Sequence, residues 1–222
     1  MKELADGVWQ LSGFPPNAIN VFVIEDVLVD ASTRYATRRI LRQVEGHTLA
    51  AHALTHAHPD HQGASHSVCE RLSIPFWVGE ADADAAELPT LIGERQPDHF
   101  IARLFYRTCT GPGHPVDRKL VEGDRVAGFE VLHVPGHCAG HVAFWRGSDR
   151  VLVAGDVLNA ADPFTGIPGL REPRTYFTPD PAENRRSAKR LGLLEPSLVL
   201  FGHGPPCRDT KKFVEFCAAL PG

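Results

Sequence analysis

The feature that most constrains this chain is a six-residue stretch containing three histidines and one aspartate. It reads His-x-His-x-Asp-His, with donors at His56, His58, Asp60 and His61. Histidine is the commonest protein ligand for a transition metal, and carboxylate oxygens suit the same ions. The alternative interpretation is a solvated polar turn. The stretch follows an apolar run at residues 48–54 that is typical of a buried strand, so we expect its side chains on a loop held by a rigid scaffold.

Four further turns place a candidate donor directly after an apolar run. These donors are Asp30, His137, Asp156 and His203. Glycines beside the last three allow the backbone to pass close to a crowded centre. Without Asp30 there are seven donors, five histidines and two aspartates. Seven donors are too many for one four-coordinate site and fit two ions that share a bridge.

In this order the motifs resemble those of the metallo-β-lactamase-fold hydrolases, and the resemblance covers nearly the whole sequence. It rests on the His-x-His-x-Asp-His motif, the Pro-Gly-His-Cys-Ala-Gly-His stretch, the Gly-Asp turn and the final Gly-His. The resemblance implies an α+β fold, a four-layer αββα sandwich. It also implies a single domain over residues 1–222, made of two similar αβ halves that divide near residue 115.

The resemblance implies a role for each donor. The first metal ion would be held by His56, His58 and His137, and the second by Asp60, His61 and His203. Asp156 would bridge the two ions, and Asp30 would orient a ligand from behind. The expected cofactor is two divalent metal ions per chain, with zinc as the default. Iron and manganese remain alternatives because mixed histidine and carboxylate sites also accept them.

The function implied is hydrolysis of a small ester, thioester or lactone by a hydroxide that bridges the two ions. Asp60 and Asp156 are the predicted catalytic residues, and Asp60 could also orient the nucleophile. Two alternatives stay open. One is a phosphodiesterase or nuclease on the same centre, and the other is an iron-dependent redox enzyme similar to persulfide dioxygenases.

Departures from the patterns of individual subfamilies leave the subfamily open. Enzymes that open β-lactams commonly have cysteine or serine at the position of Asp156. Glyoxalase II and persulfide dioxygenases usually show Gly-Cys-Gly-Lys/Arg soon after Gly-Asp, where this chain has Asn159-Ala-Ala-Asp-Pro. Glyoxalase II also has a C-terminal helical domain, which we do not expect after His203. Acyl-homoserine lactonases tend to place a tyrosine just after the bridging aspartate, but here Tyr176 is the only later tyrosine.

Charge and composition bear on the partners of the protein. The chain has 23 Lys and Arg against 27 Asp and Glu, a net charge of −4, and its arginines form no long basic stripe. A small-molecule substrate is therefore expected rather than nucleic acid.

No apolar run is long enough for a bilayer, and the N-terminus lacks an apolar signal region. The five scattered cysteines are typical of free thiols, which favours a cytoplasmic protein. The oligomeric state is left open.

The other histidines are assigned to structural roles. We expect His141 to support a ligand from behind, and His133 and His66 to lie within a strand and a helix. Surface or core positions are expected for the remaining four, His47, His52, His99 and His114. Cys138 adjoins His137 but is not expected to bind metal, because the residue beside a ligand on an extended turn usually points away. Arg171 and Arg174 either face solvent or bind an anionic substrate group, and a substrate contact by Tyr176 is left open.

Periodicity predicts where the main helices lie. They are expected at residues 35–44, with Ser32 or Thr33 as the cap, and at 63–72, 81–88, 101–108, 181–194 and 211–220. The helix at 101–108 is either an ordinary packed amphipathic helix or a wall of the substrate pocket. Residues 159–178 are rich in glycine and proline, so we expect an ordered loop over the cleft.

Overall fold

Two β-sheets pack face to face in the computed structural model, which describes residues 1–221. The seven strands of the first sheet are adjacent in chain order: β1 (Lys2–Ala5), β2 (Val8–Gln10), β3 (Phe22–Ile24), β4 (Val27–Val29), β5 (Ala51–Ala53), β6 (Phe76–Gly79) and β7 (Arg118–Leu120). Strands β1 to β4 form an antiparallel meander, whereas β4 to β7 are parallel. The parallel strands therefore all end at the same edge of the sheet.

The second half of the chain contributes seven more strands: β8 (Arg125–Val126), β9 (Phe129–His133), β10 (Val142–Arg146), β11 (Val151–Gly155), β12 (Asn159–Ala161), β13 (Pro168–Arg171) and β14 (Leu198–Phe201). Five of them form the second sheet, in the order β14-β11-β10-β9-β8, and β12 pairs with β13 as a separate hairpin. Strands β11 and β14 are parallel. The chain passes from the first sheet to the second between Leu120 and Arg125. The division of one domain into two similar halves stays a prediction.

Helices cover the outer face of each sheet. They are α1 (Thr37–Gln43), α2 (Pro59–Gln62), α3 (Ser65–Leu72), α4 (Ala83–Glu87), α5 (Thr90–Glu94), α6 (Phe100–Cys109), α7 (Pro181–Gly192) and α8 (Thr210–Ala219), with single 3₁₀ turns at Glu80–Asp82 and Thr175–Phe177. Helices α1 and α3 pack on the first sheet, and α7 and α8 pack on the second. This arrangement confirms the αββα sandwich. No helix in residues 1–221 is long and apolar enough to cross a membrane.

Successive side chains of a strand point to opposite faces of the sheet, so one set packs between the sheets and the other packs under the helices. In β3, Phe22 and Ile24 point to the space between the sheets, whereas Val23 packs under α1. In β9, Val131 likewise points inward and Leu132 packs under the second helical layer. Both faces of β3 are buried, so its sequence is a continuous apolar run rather than an alternating pattern. In β9, Glu130 is only half-buried and His133 is exposed, so the apolar run is interrupted.

Three sequence-based predictions need correction. The first helix begins at Thr37, and Ser32 and Thr33 do not cap it: its N-cap is Ala36, without a side-chain bond. Asp30 and Ser32 both have positive φ (61° and 60°), so the chain is still turning where a cap was expected.

The helix predicted at residues 63–72 is α3, which begins two residues later than expected, at Ser65, and a separate short helix, α2, ends before it at Gln62. A Cβ at Gly63, between the two helices, would lie 2.4 Å from the backbone nitrogen of Arg34, so this close approach requires glycine. Residues 159–178 are not a plain loop, since they form the β12–β13 hairpin and a 3₁₀ turn. Strands β1 and β7 were not predicted, because both are short, charged strands.

Candidate metal centre

All seven predicted donors come together where the ends of the two sheets meet. His56 and His58 follow β5, and Asp60 and His61 lie on the single turn of α2 rather than on a loop. The other three follow strands of the second sheet: His137 after β9, Asp156 after β11 and His203 after β14. All seven are classed as buried. Each half of the chain thus supplies part of one cluster.

The first group of donors is His56, His58 and His137. Nε2 of His56 lies 3.2 Å from Nδ1 of His58. The ring of His137 lies 4.9 Å from that of His56 and 4.5 Å from that of His58, centroid to centroid. The three rings therefore surround one small space.

The second group is Asp60, His61 and His203. Nε2 of His203 lies 3.1 Å from Oδ2 of Asp60, and Nε2 of His61 lies 3.9 Å from the same oxygen. The three ligand atoms are all within 4.8 Å of one another. Their spacing suits a second ion.

Asp156 lies between the two groups. Its Oδ1 is 3.6 Å from Nε2 of His61, and its Oδ2 is 3.1 Å from Nε2 of His203 and 3.8 Å from Nε2 of His137. One carboxylate therefore faces histidines of both groups. That is the position a bridging ligand needs.

Hydrogen bonds to ring nitrogens that face away from the centre hold three of the histidine rings in place. Oδ2 of Asp30 lies 2.8 Å from Nδ1 of His61, as the sequence predicted for a supporting aspartate. Nδ1 of His203 donates to the carbonyl of Ala18 at 2.5 Å, and Nδ1 of His137 lies 3.1 Å from Oγ1 of Thr178. His141 also supports the site, because its Nε2 accepts the backbone N–H of Asp156 at 3.3 Å. Such contacts fix which ring nitrogen faces the centre.

Three of the donor atoms at the centre have no hydrogen-bond partner. Nε2 of His61, Nε2 of His137 and Oδ1 of Asp156 are buried and have no hydrogen bond to any described residue. Buried polar atoms without partners are costly, and native proteins rarely leave several together. An ion in each group would satisfy these atoms, so the donor set fits the divalent metals that bind nitrogen and carboxylate ligands.

The electrostatics of the site also favour positive charge. Burial alone would lower the pKa of His203, yet the carboxylates of Asp156 and Asp60 raise it to about 10. Burial would likewise raise the pKa of Asp156, but His203 and His61 hold it well below its usual value. The carboxylates thus remain charged in a buried site and attract cations.

Glycine at position 202 is required by the crowding at the centre. A Cβ there would lie 2.0 Å from Oδ1 of Asp156 and 2.6 Å from Cε1 of His61. Any side chain would displace two of the candidate ligands. The glycine that the sequence places beside His203 therefore permits the close approach expected of it.

Cys138 lies nearer the centre than the sequence suggested. Its sulfur is within 4.8 Å of ligand atoms of His56 and His58. However, Nε2 of Gln96 donates to this sulfur at 3.7 Å, and burial raises the pKa of the thiol well above its usual value. Metal ligation needs the thiolate. We therefore keep His137 rather than Cys138 in the proposed ligand set.

Asp82 is a supporting residue that the sequence analysis missed. Its buried carboxylate accepts the backbone N–H of Ala57 at 3.0 Å and that of Gly140 at 2.8 Å. Ala57 lies between His56 and His58, and Gly140 lies in the turn that carries His137. Asp82 thus ties the two ligand-bearing turns together. Its partners are 25 and 58 residues away, so no local pattern indicates this role.

A partly apolar cleft opens above the donors. His58, Asp60, His137, Asp156 and His203 lie at its base, and its walls include the following apolar side chains: Ile19, Phe105, Pro163, Phe164, Pro173 and Phe177. Helix α6 therefore forms a wall of the cleft through Phe105. It is not an ordinary packed helix, because only Ala102 is buried and Phe100 is 71% exposed. The β12–β13 hairpin and the turn after it form the opposite wall.

The two arginines of the hairpin region are paired with an acid. Arg171 and Arg174 both contact the carboxylate of Asp162, which is only 3% exposed. Arg174 also lines the cleft, and Arg171 does not. Tyr176 stacks on His99 with centroids 4.5 Å apart and does not line the cleft. The sequence analysis did not identify Phe177, the residue after Tyr176, which does line the cleft.

Comparison with known proteins agrees with this geometry. The family model of the metallo-beta-lactamase superfamily matches residues 14–203. That range includes all seven donors, the whole second sheet and the first sheet from β3 onward. The chain belongs to this superfamily and is a metal-dependent hydrolase of it.

Two relatives and one solved structure are similar to this chain over two thirds of its length or more. A probable metallo-hydrolase of Bacillus subtilis, YflN, is 30% identical over 204 residues, covering 81% of this chain and 75% of that protein. The hydroxyacylglutathione hydrolase GloC of Haemophilus influenzae is 28% identical over 165 residues, covering 68% of this chain and 66% of its own length. The crystal structure of TTHA1623 in a di-iron-bound form is 32% identical, covers 92% of both chains and superposes with a TM-score of 0.61.

The position of Asp82 predicts a measurable effect on metal affinity. Asp82→Ala leaves two buried backbone N–H groups unsatisfied and frees the two turns that carry the first group of histidines. We expect the metal dissociation constant to rise about tenfold or more, in the range seen for residues that support ligands. Equilibrium metal titration tests this. The control is Asp84→Ala, because Asp84 lies nearby but is exposed and pairs with Arg95. Equal affinities in the two variants would contradict the role assigned to Asp82.

Proposed function

We propose that this protein uses two divalent metal ions, held by the seven donors, to hydrolyse a small ester, thioester or lactone. The observation that carries the proposal is the composition of the cleft: donors with unpartnered atoms form its base, and aromatic side chains form its walls. Such a cleft suits a compact substrate with an apolar portion beside the reacting carbonyl. Zinc is the proposed metal, with iron and manganese as alternatives.

Metal ions of this kind lower the pKa of bound water to about 7 and polarise a carbonyl oxygen, which together provide hydrolytic chemistry at neutral pH. The residues of the chain provide the rest. Asp60 borders the cleft, and its Oδ2 can accept a hydrogen bond from the attacking water and so orient it. The carboxylate of Asp156 supplies a negative charge between the two groups of histidines. No separate nucleophilic side chain is needed.

The apolar walls bind the part of the substrate that does not react. Phe177 contacts both Phe105 and Phe164, with ring centroids 5.6 Å apart for Phe105–Phe177 and 6.2 Å for Phe164–Phe177. This cluster shields the base of the cleft from solvent. Water exclusion strengthens every electrostatic contact within the site.

The surroundings of the cleft disfavour a nuclease or phosphodiesterase. Arg174 is the only lysine or arginine, among residues 1–221, that lines the cleft, and Asp162 pairs with it. A protein that grips a nucleic-acid backbone needs several unpaired cations, and its affinity falls steeply with salt. The proposed partner is therefore a small molecule and not nucleic acid. The relatives that are hydroxyacylglutathione hydrolases support the same proposal, because hydroxyacylglutathione is a small-molecule thioester.

The direct test is a substrate panel run on metal-loaded enzyme. Aryl esters, acyl thioesters and lactones should be turned over, chelator should abolish turnover, and added zinc or manganese should restore it. Phosphodiesters and RNA should be cleaved far more slowly under the same conditions. Chelator-sensitive nuclease activity without any carbonyl-ester hydrolysis would refute the proposal. Turnover only with iron and molecular oxygen would favour the redox alternative.

The aromatic wall predicts a specific kinetic change. Phe105→Ala removes apolar contact from the substrate in both its ground and transition states, which is a loss of uniform binding. We expect KM for substrates with an apolar acyl group to rise about tenfold, or ~1.4 kcal/mol, with kcat nearly unchanged. The matched control is Phe100→Ala, since Phe100 lies on the same helix but outside the cleft. If both variants behave alike, Phe105 is not a wall of the substrate site.

A further inference from the structure

A second group of ligand-type side chains lies outside the cleft, at the contact between α3 and the loop that follows α6. It consists of His66, Glu70 and His114, whose ligand atoms are all within 4.8 Å of one another. None of the three lines the cleft or contacts the seven donors. His66 and Glu70 are four residues apart on α3 and so share one face of the helix. We propose that these three residues bind a further divalent metal ion, zinc, which fastens the loop to the helix.

The spacing of the two histidines fits a shared metal. Nδ1 of His66 lies 3.2 Å from Nδ1 of His114. Two nitrogens bound to one tetrahedral zinc at the usual bond length lie about 3.3 Å apart. In the first group of the proposed catalytic centre, His56 and His58 show the same separation of 3.2 Å. The nitrogens of His66 and His114 therefore need no rearrangement to bind one ion.

Glu70 supplies the third ligand. Its Oε1 lies 3.9 Å from Nδ1 of His114, and its side chain is 62% exposed. Because the side chain is exposed, it has room to rotate and bring the oxygen closer to the two nitrogens. Two histidines and one carboxylate leave the fourth position of a tetrahedral zinc for water.

The local charge also favours a cation. Asp117 and Glu70 are both close enough to act electrostatically on His114. Two carboxylates beside the two histidines give a site with negative charge, which a divalent ion would neutralise.

The loop that carries His114 is packed against the ligand-bearing part of the fold. A Cβ at Gly111 would lie 1.8 Å from the carbonyl oxygen of Gly63, which directly follows α2. The same loop continues from α6, whose Phe105 forms a wall of the cleft. An ion at His66 and His114 would therefore hold this loop, and the end of α6, on the scaffold of the catalytic centre.

Equilibrium zinc titration against a chromophoric chelator tests the site, because it counts ions at a defined free zinc concentration. The full chain should bind one ion more than His66→Ala or His114→Ala, and Glu70→Gln should weaken that extra ion alone. His114→Gln is the conservative variant, since its amide can still hydrogen-bond to His66 but cannot replace an imidazole as a zinc ligand. The control His47→Ala removes an exposed histidine elsewhere and should keep the full count.

Thermal unfolding gives a second readout that does not depend on activity. Zinc beyond the amount that fills the catalytic centre should raise the Tm of the wild-type protein and of His47→Ala, but not that of His114→Gln. Equal zinc counts in wild-type, His66→Ala and His114→Gln proteins would overturn the proposal and leave a simple hydrogen bond between two histidines. Loss of the extra ion in His47→Ala as well would also overturn it, since binding would then be non-specific.

Discussion

The contact of Asp156 with histidines from both halves of the chain is the interaction on which the site depends. This carboxylate is 4% exposed and lies 3.1 to 3.8 Å from His203, His61 and His137. A buried carboxylate is tolerated only when it is paired. The pairing requires that strands from two different sheets end at the same place, and the αββα sandwich meets that requirement. The supporting contacts of Asp30, Thr178 and Ala18 then set the direction of three rings, those of His61, His137 and His203.

Under the proposed function, the walls of the cleft decide which substrate fits beside the donors. The donors alone suit a carbonyl ester, a phosphodiester or a redox substrate, because a pair of divalent ions can serve all three. The aromatic side chains of Phe105, Phe164 and Phe177, and the paired state of Arg174, favour a small and partly apolar substrate. Under the proposed function, substrate specificity would therefore reside in α6 and in the segment after β11 rather than in the donors.

The fold was predicted from the resemblance that the motifs carry, and the clustering of the donors was predicted from local signals. His137, Asp156 and His203 come shortly after apolar strands, the motif at residues 56–61 comes shortly after β5, and parallel strands end at one edge of a sheet. Asp82, Phe177 and the His66–His114 pair could not be predicted, because their partners lie 25 to 58 residues away or their role depends on how a helix faces a cleft. The cap expected at Ser32 was wrong for a related reason. The backbone there turns to bring Asp30 against His61, and this long-range requirement overrides the local preference for capping.

The most direct test of the central claim is anomalous X-ray diffraction from crystals of the zinc-loaded protein, with data collected on both sides of the zinc absorption edge. The seven-donor centre predicts two anomalous peaks at the base of the cleft, one among His56, His58 and His137 and the other among Asp60, His61 and His203. Asp156 should contact both. A single peak at this position, or two peaks that Asp156 does not bridge, would contradict the account.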